Sequence, residues 1–477
     1  MAAGLLLLAG CGDGERGPIV VSAIGGVPEL ENPNLQPLDP PSTFLVEATA
    51  QGLVHFDPLG QVEPALAQSW IVSDDGLRYT FRLARAEWAD GGRVTAKQVV
   101  QRLEAASSRA SRNPLKPILG AIVEIEAMTD EVLEIRLVGP RPNFLQMLAQ
   151  PQMAIIRDGV GSGPYRASAG DGGAVLLTPA DPDDAPAAGT DAEGSSDMVL
   201  RGEGAAMAIA RFDQGLADFV TGGTIGDLPI ARAAELPDNA LRFDPAAGLF
   251  GLVFAIDEGP AAEPAVRRAL SMAIDRAALV AALGVPDLQP RQSLLPLGVA
   301  ELPAPALPDW AATPLPLRRQ LAMRAIAATA DGEPVTLRVA VPDEHGYRQI
   351  FAHLRRDWRT IGVEAEAVEP GADADLRFVD AVAPANLASW YLRRFACAAS
   401  SVCSDEADAA MAAARTAPTA SERQAQLAIA DRLLTDATAF IPLTAPVRWS
   451  LVSPRVTGFQ PNPFARHFAG RLVAGTP

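Results

Sequence analysis

The chain has 477 residues, of which 48% are hydrophobic, and a formal net charge of −17 at pH 7. This length exceeds one ordinary core, so two or three lobes are expected, and the apolar fraction is sufficient to bury them. The acidic excess argues against binding to nucleic acid or to an anionic membrane surface, because the sequence shows no compensating basic patch.

The polar residues give no pattern typical of a catalytic or metal site. The four histidines do not occur in HisxxxHis or HisGluxxHis spacing. The chain also lacks the GlyxSerxGly elbow of a hydrolase, and few histidines are present to act as a base. We therefore expect no enzyme activity, no metal and no cofactor.

The N-terminus carries a short apolar run, 5–10, that ends in LeuAlaGlyCys. This pattern resembles a lipoprotein lipobox with Cys11 as the acylated residue, and the run is too short to span a bilayer. A cationic start is missing, so the alternatives are a true start upstream of Met1 or a chance apolar terminus. Residues 1–17 are assigned to this signal and tether.

The next segments predict a strand over 19–23 and a helix over 47–56. The stretch 60–100 then contains more closely spaced turn, strand and helix-start patterns than any other part of the chain. Within it, residues 77–83 alternate apolar and polar side chains with a period of two, which predicts a strand with one buried face. Thr95 with Gln98 three residues later is the pattern of a helix-opening capping box.

The order of residues in this stretch resembles the signature of the peptide- and nickel-binding family of extracytoplasmic solute-binding proteins of ABC importers. The matching segments are 62–70, 75–83, 88–91 and 94–96. Further blocks that resemble this family include LeuAspPro at 38–40 and ValArgxAlaLeuxxAlaIleAspArg at 266–276, so the resemblance covers nearly the whole mature chain.

This resemblance implies an α/β fold of the periplasmic-binding-protein type II class, with two large lobes joined by a hinge and an extra smaller domain. The implied boundaries are 18–44, 161–245 and 445–477 for lobe I, 45–160 for the extra domain II, and 246–444 for lobe III. The chain is expected to be a monomer.

The segment 161–165, GlySerGlyProTyr, resembles the family's GlyThrGlyProTyr. The alternative is a phosphate cradle, but the Lys and following Ser or Thr of a P-loop are absent. Residues 169–197 are rich in Gly, Asp, Pro and Ala, which predicts an irregular acidic loop.

The C-terminal half predicts one long helix over 264–283, ended by Gly284. A second amphipathic helix near 347–361 is followed by a strand, and a further strand is predicted over 374–379. Only a five-residue connection joins these two strands, where relatives usually place a helix. Ser421 with Gln424 is predicted to open the last helix.

Residues 380–384, AspAlaValAlaPro, resemble the family's AspxxxPro at the ligand cleft. By this resemblance Asp380 pairs with a ligand's amino group, and Arg377, Phe378 and Val379 bond its backbone as an added strand. The alternative is that Asp380 only caps a turn. Other positions that match cleft-lining segments of the family are Ser42, Thr43 and Leu115.

The segment PheAlaCys that ends at Cys397 resembles the family's PhexCys, and Cys403 follows closely. In an oxidising compartment a disulfide between Cys397 and Cys403 is natural. The alternative is a metal pair, although no third or fourth ligand is nearby.

The sequence leaves two main functional hypotheses. The first is a periplasmic or cell-surface lipoprotein that captures a peptide or peptide-like solute for ABC permease subunits and touches the membrane through its lipid anchor only. The second is a sensor or scaffold that keeps the fold without transport, or that binds a nickel complex, a sugar or an opine.

Overall fold

The computed structural model describes residues 17–180, 197–256, 258–329 and 334–474. Cys11, with most of the predicted signal and tether, lies outside the described residues. Within those residues no helix is long and apolar enough to cross a membrane.

The strands fall into three main sheets and two short pairs. In chain order the strands are β1 (Ile19–Ile24), β2 (Val54–Phe56), β3 (Val62–Pro64), β4 (Ala67–Val72), β5 (Arg78–Leu83), β6 (Ile122–Ala127), β7 (Val132–Leu137), β8 (Tyr165–Ala169), β9 (Val175–Pro179), β10 (Met198–Glu203), β11 (Phe219–Thr224), β12 (Leu241–Asp244), β13 (Gly248–Phe254), β14 (Val335–Ala340), β15 (Val363–Val368), β16 (Leu376–Val382), β17 (Phe440–Thr444), β18 (Arg448–Val452), β19 (Val456–Thr457) and β20 (Val473–Ala474).

The α-helices pack around these sheets. In chain order the helices are α1 (Pro40–Thr49), α2 (Ala96–Ser107), α3 (Lys116–Leu119), α4 (Phe144–Leu148), α5 (Ala205–Asp213), α6 (Leu228–Ala233), α7 (Pro264–Ala273), α8 (Arg276–Leu283), α9 (Leu315–Thr329), α10 (His345–Arg359), α11 (Ala388–Arg393), α12 (Asp405–Thr416) and α13 (Ala420–Asp436).

The first large lobe is built on a seven-stranded mixed sheet in the order β12-β18-β11-β1-β10-β9-β8. Strand β1 lies near the centre and pairs parallel with β10 and β11. Its residues Ile19, Val21 and Ala23 are fully buried, as expected for a strand covered on its faces.

The second large lobe is built on a five-stranded sheet in the order β15-β14-β16-β13-β17. The chain passes between the two large sheets where β12 ends at Asp244 and β13 begins at Gly248, and again where β17 ends at Thr444 and β18 begins at Arg448. In the described chain these two short connections, 245–247 and 445–447, join the two large lobes and form the hinge segments.

The small domain is built on a four-stranded antiparallel sheet in the order β4-β5-β7-β6. In β5 the residues Tyr79, Phe81 and Leu83 are buried, which is the face that the alternating pattern predicted. The predicted capping box is also present, since the Thr95 side chain accepts from the Gln98 N–H and the Gln98 side chain accepts from the Thr95 N–H.

The predicted helix over 47–56 is wrong. Helix α1 starts earlier, because Asp39 accepts a hydrogen bond from the Ser42 N–H and Pro40 suits the first turn. Gly52 then packs so closely that a Cβ there would lie 2.9 Å from the Leu148 carbonyl oxygen, and the chain continues into β2.

The predicted single helix over 264–283 is also wrong, because it is broken into α7 and α8. Ile274 is extended, with φ −70° and ψ 126°. The N–H of Asp275 donates to the buried carboxylate of Asp357 (2.8 Å), and the Asp275 side chain caps α8 by accepting from the Ala278 N–H (3.0 Å). The predicted end at Gly284 is confirmed, since that glycine is left-handed with φ 60°.

Two smaller predictions need correction. Strand β9 lies inside the segment predicted as an irregular loop and pairs with both β8 and β10, while residues 181–196 are outside the described residues. The last helix is opened by a capping box of Thr419 and Glu422, two residues before the predicted pair Ser421 and Gln424.

Candidate ligand-binding site

Asp380 lies inside β16, not after its end. The sequence predicted a strand that stops at residue 379, but β16 continues to Val382 because β13 pairs with it along its whole length, from Leu376 opposite Phe254 to Val382 opposite Gly248. The alternative in which Asp380 caps a turn is therefore wrong, since Asp380 faces Phe250 across the ladder.

The opposite edge of β16 is only partly covered. Strand β14 pairs with it at Leu376 and Arg377 alone. Beyond that point no strand of the described chain pairs with residues 378–382 on this edge. An unpaired strand edge leaves backbone N–H and C=O groups that can accept an added strand.

The carboxylate of Asp380 is held between the two large lobes. The Tyr347 hydroxyl from α10 donates to its Oδ2 at 2.8 Å. Nη1 of Arg448, the first residue of β18 in the seven-stranded sheet, lies 2.8 Å from its Oδ1. The Asp380 side chain is only 9% exposed and that of Arg448 17%, so this ion pair joins the lobes in a largely desolvated position.

The two carboxylate oxygens differ in how well they are satisfied. Oδ2 has the Tyr347 hydrogen bond, whereas Oδ1 has the charge contact with Arg448 but no hydrogen bond of favourable angle among the described residues. Burial raises the pKa of the Tyr347 hydroxyl far above its ordinary value, and the Asp380 charge raises it further. Tyr347 therefore stays a neutral donor, and Oδ1 keeps acceptor capacity.

Aromatic rings surround this cluster. The ring of Phe378 contacts that of Tyr347 edge to face, with centroids 5.4 Å apart, and the ring centroid of Phe250 lies 6.3 Å from that of Tyr347. Gly226 of the first lobe is so close to Tyr347 that a Cβ would lie 3.0 Å from its ring. The site thus lies at a contact between the two large lobes, and aromatic side chains form part of its surface.

The other predicted contacts are arranged differently. Val379 is half-buried in β16, but the Arg377 guanidinium turns away and donates to the carbonyls of Pro370 and Ala372 in the short connection before the strand. That connection, like the rest of 369–375, contains no helix, as the sequence indicated. The Arg377 guanidinium is therefore hydrogen-bonded to the loop before β16 and does not point to the Asp380 carboxylate.

Ser42, Thr43 and Leu115 lie in other elements. Ser42 is buried in the first turn of α1, where its hydroxyl accepts from the Glu29 N–H at 3.3 Å, and Thr43 is half-buried beside it. Leu115 is 3% exposed in the core of the small domain. Their side chains offer little surface in this conformation, and a ligand contact there stays a prediction.

Sequence reasoning missed Arg448 as a site residue and assigned Tyr347 to the core alone. Tyr347 is indeed 7% exposed, but its hydroxyl is aimed at Asp380. The signal for Tyr347 was a polar tip within an apolar helix face, because a buried tyrosine hydroxyl requires a partner. Arg448 lies far from Asp380 in the chain and carried no local signal.

The two cysteines of the second lobe are joined. Cys397 Sγ and Cys403 Sγ lie 2.15 Å apart as a disulfide. In the described part of the chain no group of three or more His, Cys, Asp or Glu side chains is arranged to hold a metal ion.

A cavity of about 290 Å³ lies between α1, the small domain and the C-terminal segment, and Asp380 does not line it. It contains the side chains of Glu47 and Arg466, which form an ion pair at 3.3 Å. Burial raises the pKa of Glu47, and the charge of Arg466 opposes that rise.

Comparison with known proteins identifies the family. A family model described as bacterial extracellular solute-binding proteins, family 5 Middle, matches residues 61–391, well over half of the chain. The chain belongs to this family. Family 5 proteins are extracytoplasmic and serve ABC transporters, so the resemblance drawn from the 60–100 stretch is confirmed.

Curated relatives of family 5 match over part of their length. The probable deoxycholate-binding periplasmic protein YgiS of Escherichia coli is 34% identical over 121 residues, covering 22% of this chain and 23% of that protein. The glutathione-binding protein GsiB of Escherichia coli is 31% identical over 179 residues, covering 33% of each. The matched segments thus span a third or less of these relatives.

Solved structures match over nearly the whole chain. The murein tripeptide binding protein MppA of Escherichia coli has a TM-score of 0.82 at 19% identity and covers 97% of this chain and 99% of its own. Haemophilus influenzae OppA, in complex with RPPGFSPFR, has a TM-score of 0.80 at 16% identity, with 96% and 99% covered. The predicted type II fold, with two large lobes and a smaller domain, is confirmed.

Proposed function

We propose that this family 5 protein captures a peptide or a peptide-like solute outside the cytoplasm and delivers it to the permease subunits of an ABC importer. The observation that carries this proposal is the free edge of β16 at 378–382 beside the Asp380 carboxylate. A peptide can extend that sheet by main-chain hydrogen bonds and place its ammonium group on a carboxylate at the same strand.

The Asp380–Arg448 pair fits this role. Oδ1 of Asp380 has charge contact with Arg448 but keeps an acceptor direction free, so a ligand ammonium can bind Oδ1 while Tyr347 remains on Oδ2. Because Arg448 belongs to the other lobe, a ligand at Asp380 touches both sheets and favours their closed arrangement.

The names of similar proteins agree with a peptide-like solute. GsiB is named as glutathione-binding, and MppA as a murein tripeptide binding protein. Others differ, since YgiS is named for deoxycholate and Campylobacter jejuni NikZ was solved with Ni(L-His). The free strand edge favours a peptide over these solutes because it offers main-chain groups.

A thermal-shift screen of the purified protein tests this proposal. Short peptides, opines, sugars and nickel chelates are compared at equal concentration, since a ligand that binds only the folded state raises Tm. We expect Tm to rise with peptides. A rise with sugars or opines and none with peptides would overturn the assignment.

A second candidate is a ligand sensor or scaffold that does not transport. The observation that favours it is the short connection between β15 and β16, which contains no helix. Since relatives usually place a helix there, the resemblance implies that a wall of the usual cleft is missing or rebuilt. Uptake of a labelled peptide by cells with and without the gene separates the two functions. Uptake that depends on the gene supports transport, and binding without uptake supports the sensor.

We also propose that Cys11 carries a lipid anchor and that the protein is a monomer. The support for the anchor is LeuAlaGlyCys after an apolar run in a family that is exported. Expression with an extended native start should give a membrane-bound protein, and Cys11→Ala should release it. Unchanged membrane attachment in that variant would contradict the anchor.

A further inference from the structure

A second cavity, of about 220 Å³, lies between the small domain and the second large lobe. One wall comes from residues 117–147 around α3 and α4, and the other from residues 387–427 around α11, α12 and α13. Asp380 does not line this cavity. The Asn143 side chain donates to the Asn386 carbonyl at 2.8 Å beside it, so the two domains are in direct contact there.

The cavity collects positive charge in a strongly acidic protein. Its lining includes four arginines and one acidic residue, Asp408. The arginines are Arg141, Arg393, Arg415 and Arg423. Arg141 and Arg423 are buried, Arg393 is half-buried and Arg415 is exposed. Like charges close together at buried positions are costly unless a counter-charge is present, so this lining is short of negative charge.

Two of the arginines are held by the protein itself. Arg423 donates from Nε at 2.8 Å, and from Nη2, to Oε1 of Glu301, and it also donates to the Ala414 carbonyl. Arg141 donates to the Pro140 carbonyl at 2.8 Å and to the Arg415 carbonyl at 2.7 Å. These bonds fix both guanidinium groups, but only Glu301 supplies a balancing charge.

Arg393 is the half-buried arginine of this lining whose guanidinium has no partner among the described residues. Its Nη1 is fully buried and makes no hydrogen bond, and none of the described residues forms an ion pair with it. The Oδ2 of Asp408 accepts from the Cys397 N–H at 3.0 Å, and its Oδ1 is buried without a hydrogen-bond partner. No ion pair joins this carboxylate to an arginine in the described chain, so Asp408 leaves the Arg393 guanidinium without an acceptor in this arrangement. A buried guanidinium donor without an acceptor is a position at which an anion would be stabilised.

The ionisation of these arginines shows the same shortage of negative charge. Burial lowers the pKa of Arg141 to about 10, and the charge of Arg423 lowers it further. The pKa of Arg393 is lowered by burial and then by the charges of Arg415 and Arg423. A bound anion would raise both pKa values by offsetting the repulsion among the arginines, while the effect of burial would remain.

Most of the remaining lining is apolar, with Asn143, Ser389 and Asp408 as its other polar members. The hydrophobic lining comes from both domains and includes Ile118, Phe144, Met147, Leu387, Met411 and Leu427. A pocket that combines arginines with a mostly hydrophobic lining matches an amphipathic anion better than a bare inorganic ion.

We propose that this cavity binds a small organic carboxylate with a short apolar chain. The carboxylate lies against Arg393 with Arg141 and Arg415 beside it, and the chain packs on the methionine and leucine side chains. Because its walls belong to different domains, the bound anion holds the small domain against the second large lobe. This site does not depend on the peptide site at Asp380.

Calorimetric titration of the whole protein tests the inference with hexanoate and its neutral analogue hexanamide. The two probes have similar shapes and differ in charge. We expect hexanoate to bind at least tenfold more tightly than hexanamide. Arg393→Gln should weaken hexanoate at least tenfold, whereas Arg394→Gln, a change at the exposed neighbour outside the cavity, should leave its affinity unchanged.

Three results would overturn the inference. These are equal binding of hexanoate and hexanamide, unchanged hexanoate affinity in Arg393→Gln, and inorganic phosphate binding as tightly as hexanoate. Arg415→Gln changes an exposed member of the cluster and gives the same test if Arg393→Gln does not fold. Peptide titration of Arg393→Gln separates this site from the proposed function, because peptide affinity should not change.

Discussion

The ion pair between Asp380 and Arg448 can be tested without knowing the ligand. Arg448→Gln leaves the Asp380 carboxylate, 9% exposed, with the Tyr347 hydroxyl as its remaining hydrogen bond. Removal of one partner from a buried pair costs about 3–5 kcal/mol, and partial exposure of Arg448 reduces this loss. We therefore expect a loss of about 2–3 kcal/mol in the free energy of unfolding.

The double variant Asp380→Asn with Arg448→Gln removes both charges. It should be more stable than Arg448→Gln alone, because no uncompensated carboxylate is left between the lobes. Arg136→Gln is the matched control, since its pair with Glu124 is about half exposed on both sides and should cost about 1 kcal/mol or less.

Urea denaturation followed by tryptophan fluorescence measures these differences, and Trp449, buried beside Arg448, reports on this contact. A loss in Arg448→Gln no larger than that in Arg136→Gln would refute the view that the pair is desolvated. A double variant less stable than either single variant would refute the coupling.

Three further changes test other parts of the structure. Burial raises the pKa of Asp431 to about 6, so its neutral form is preferred in the fold. The stabilisation of the fold by protonated Asp431 is fully present below the unfolded pKa near 4 and is lost as pH rises through 6. Urea denaturation between pH 4 and 7 should therefore show a fall in the free energy of unfolding, and Asp431→Asn should remove on the order of 2 kcal/mol of that fall. Gly163→Ala should lower the free energy of unfolding by about 3 kcal/mol or more, because its Cβ would lie 2.3 Å from the Thr49 backbone. Gly204→Ala is the control and should be tolerated, since no atom lies within 4 Å of a Cβ built there. Equal melting temperatures of the two variants would contradict this contrast. Serine at both Cys397 and Cys403 should cost about 2 kcal/mol for so short a loop, and both thiols found free by mass spectrometry of exported protein would contradict the disulfide.

Local patterns were sufficient for much of the fold. The β5 strand and the Thr95 capping box are decided by alternation and side-chain chemistry within a few residues, and both appear as predicted. The end of α8 was likewise visible, because Gly284 accepts the left-handed backbone that stops a helix.

Errors arose where a distant residue decides the local structure. The break between α7 and α8 depends on the buried carboxylate of Asp357, which belongs to another helix. The length of β16 is set by its pairing with β13. The start of α1 was different, since Asp39 and Pro40 already carried the capping signal in the sequence.

The candidate site was predictable only in part. The family motif led to Asp380, but its partners Tyr347 and Arg448 come from α10 and β18, which meet only in the folded chain. The arginine cavity also joins segments from two domains, and no run of residues in the sequence shows a basic cluster.

The most direct measurement of the central proposal is calorimetric titration with trialanine and its N-acetyl form. Acetylation removes the ammonium group and leaves the main chain to pair with β16. We predict that acetylation weakens binding at least tenfold, and that Asp380→Asn weakens trialanine by roughly tenfold to a hundredfold while removing the preference, at about 1.4 kcal/mol per decade. Equal affinity for both peptides, or a preference that survives in Asp380→Asn, would contradict the assignment of Asp380 as the ligand's anionic contact.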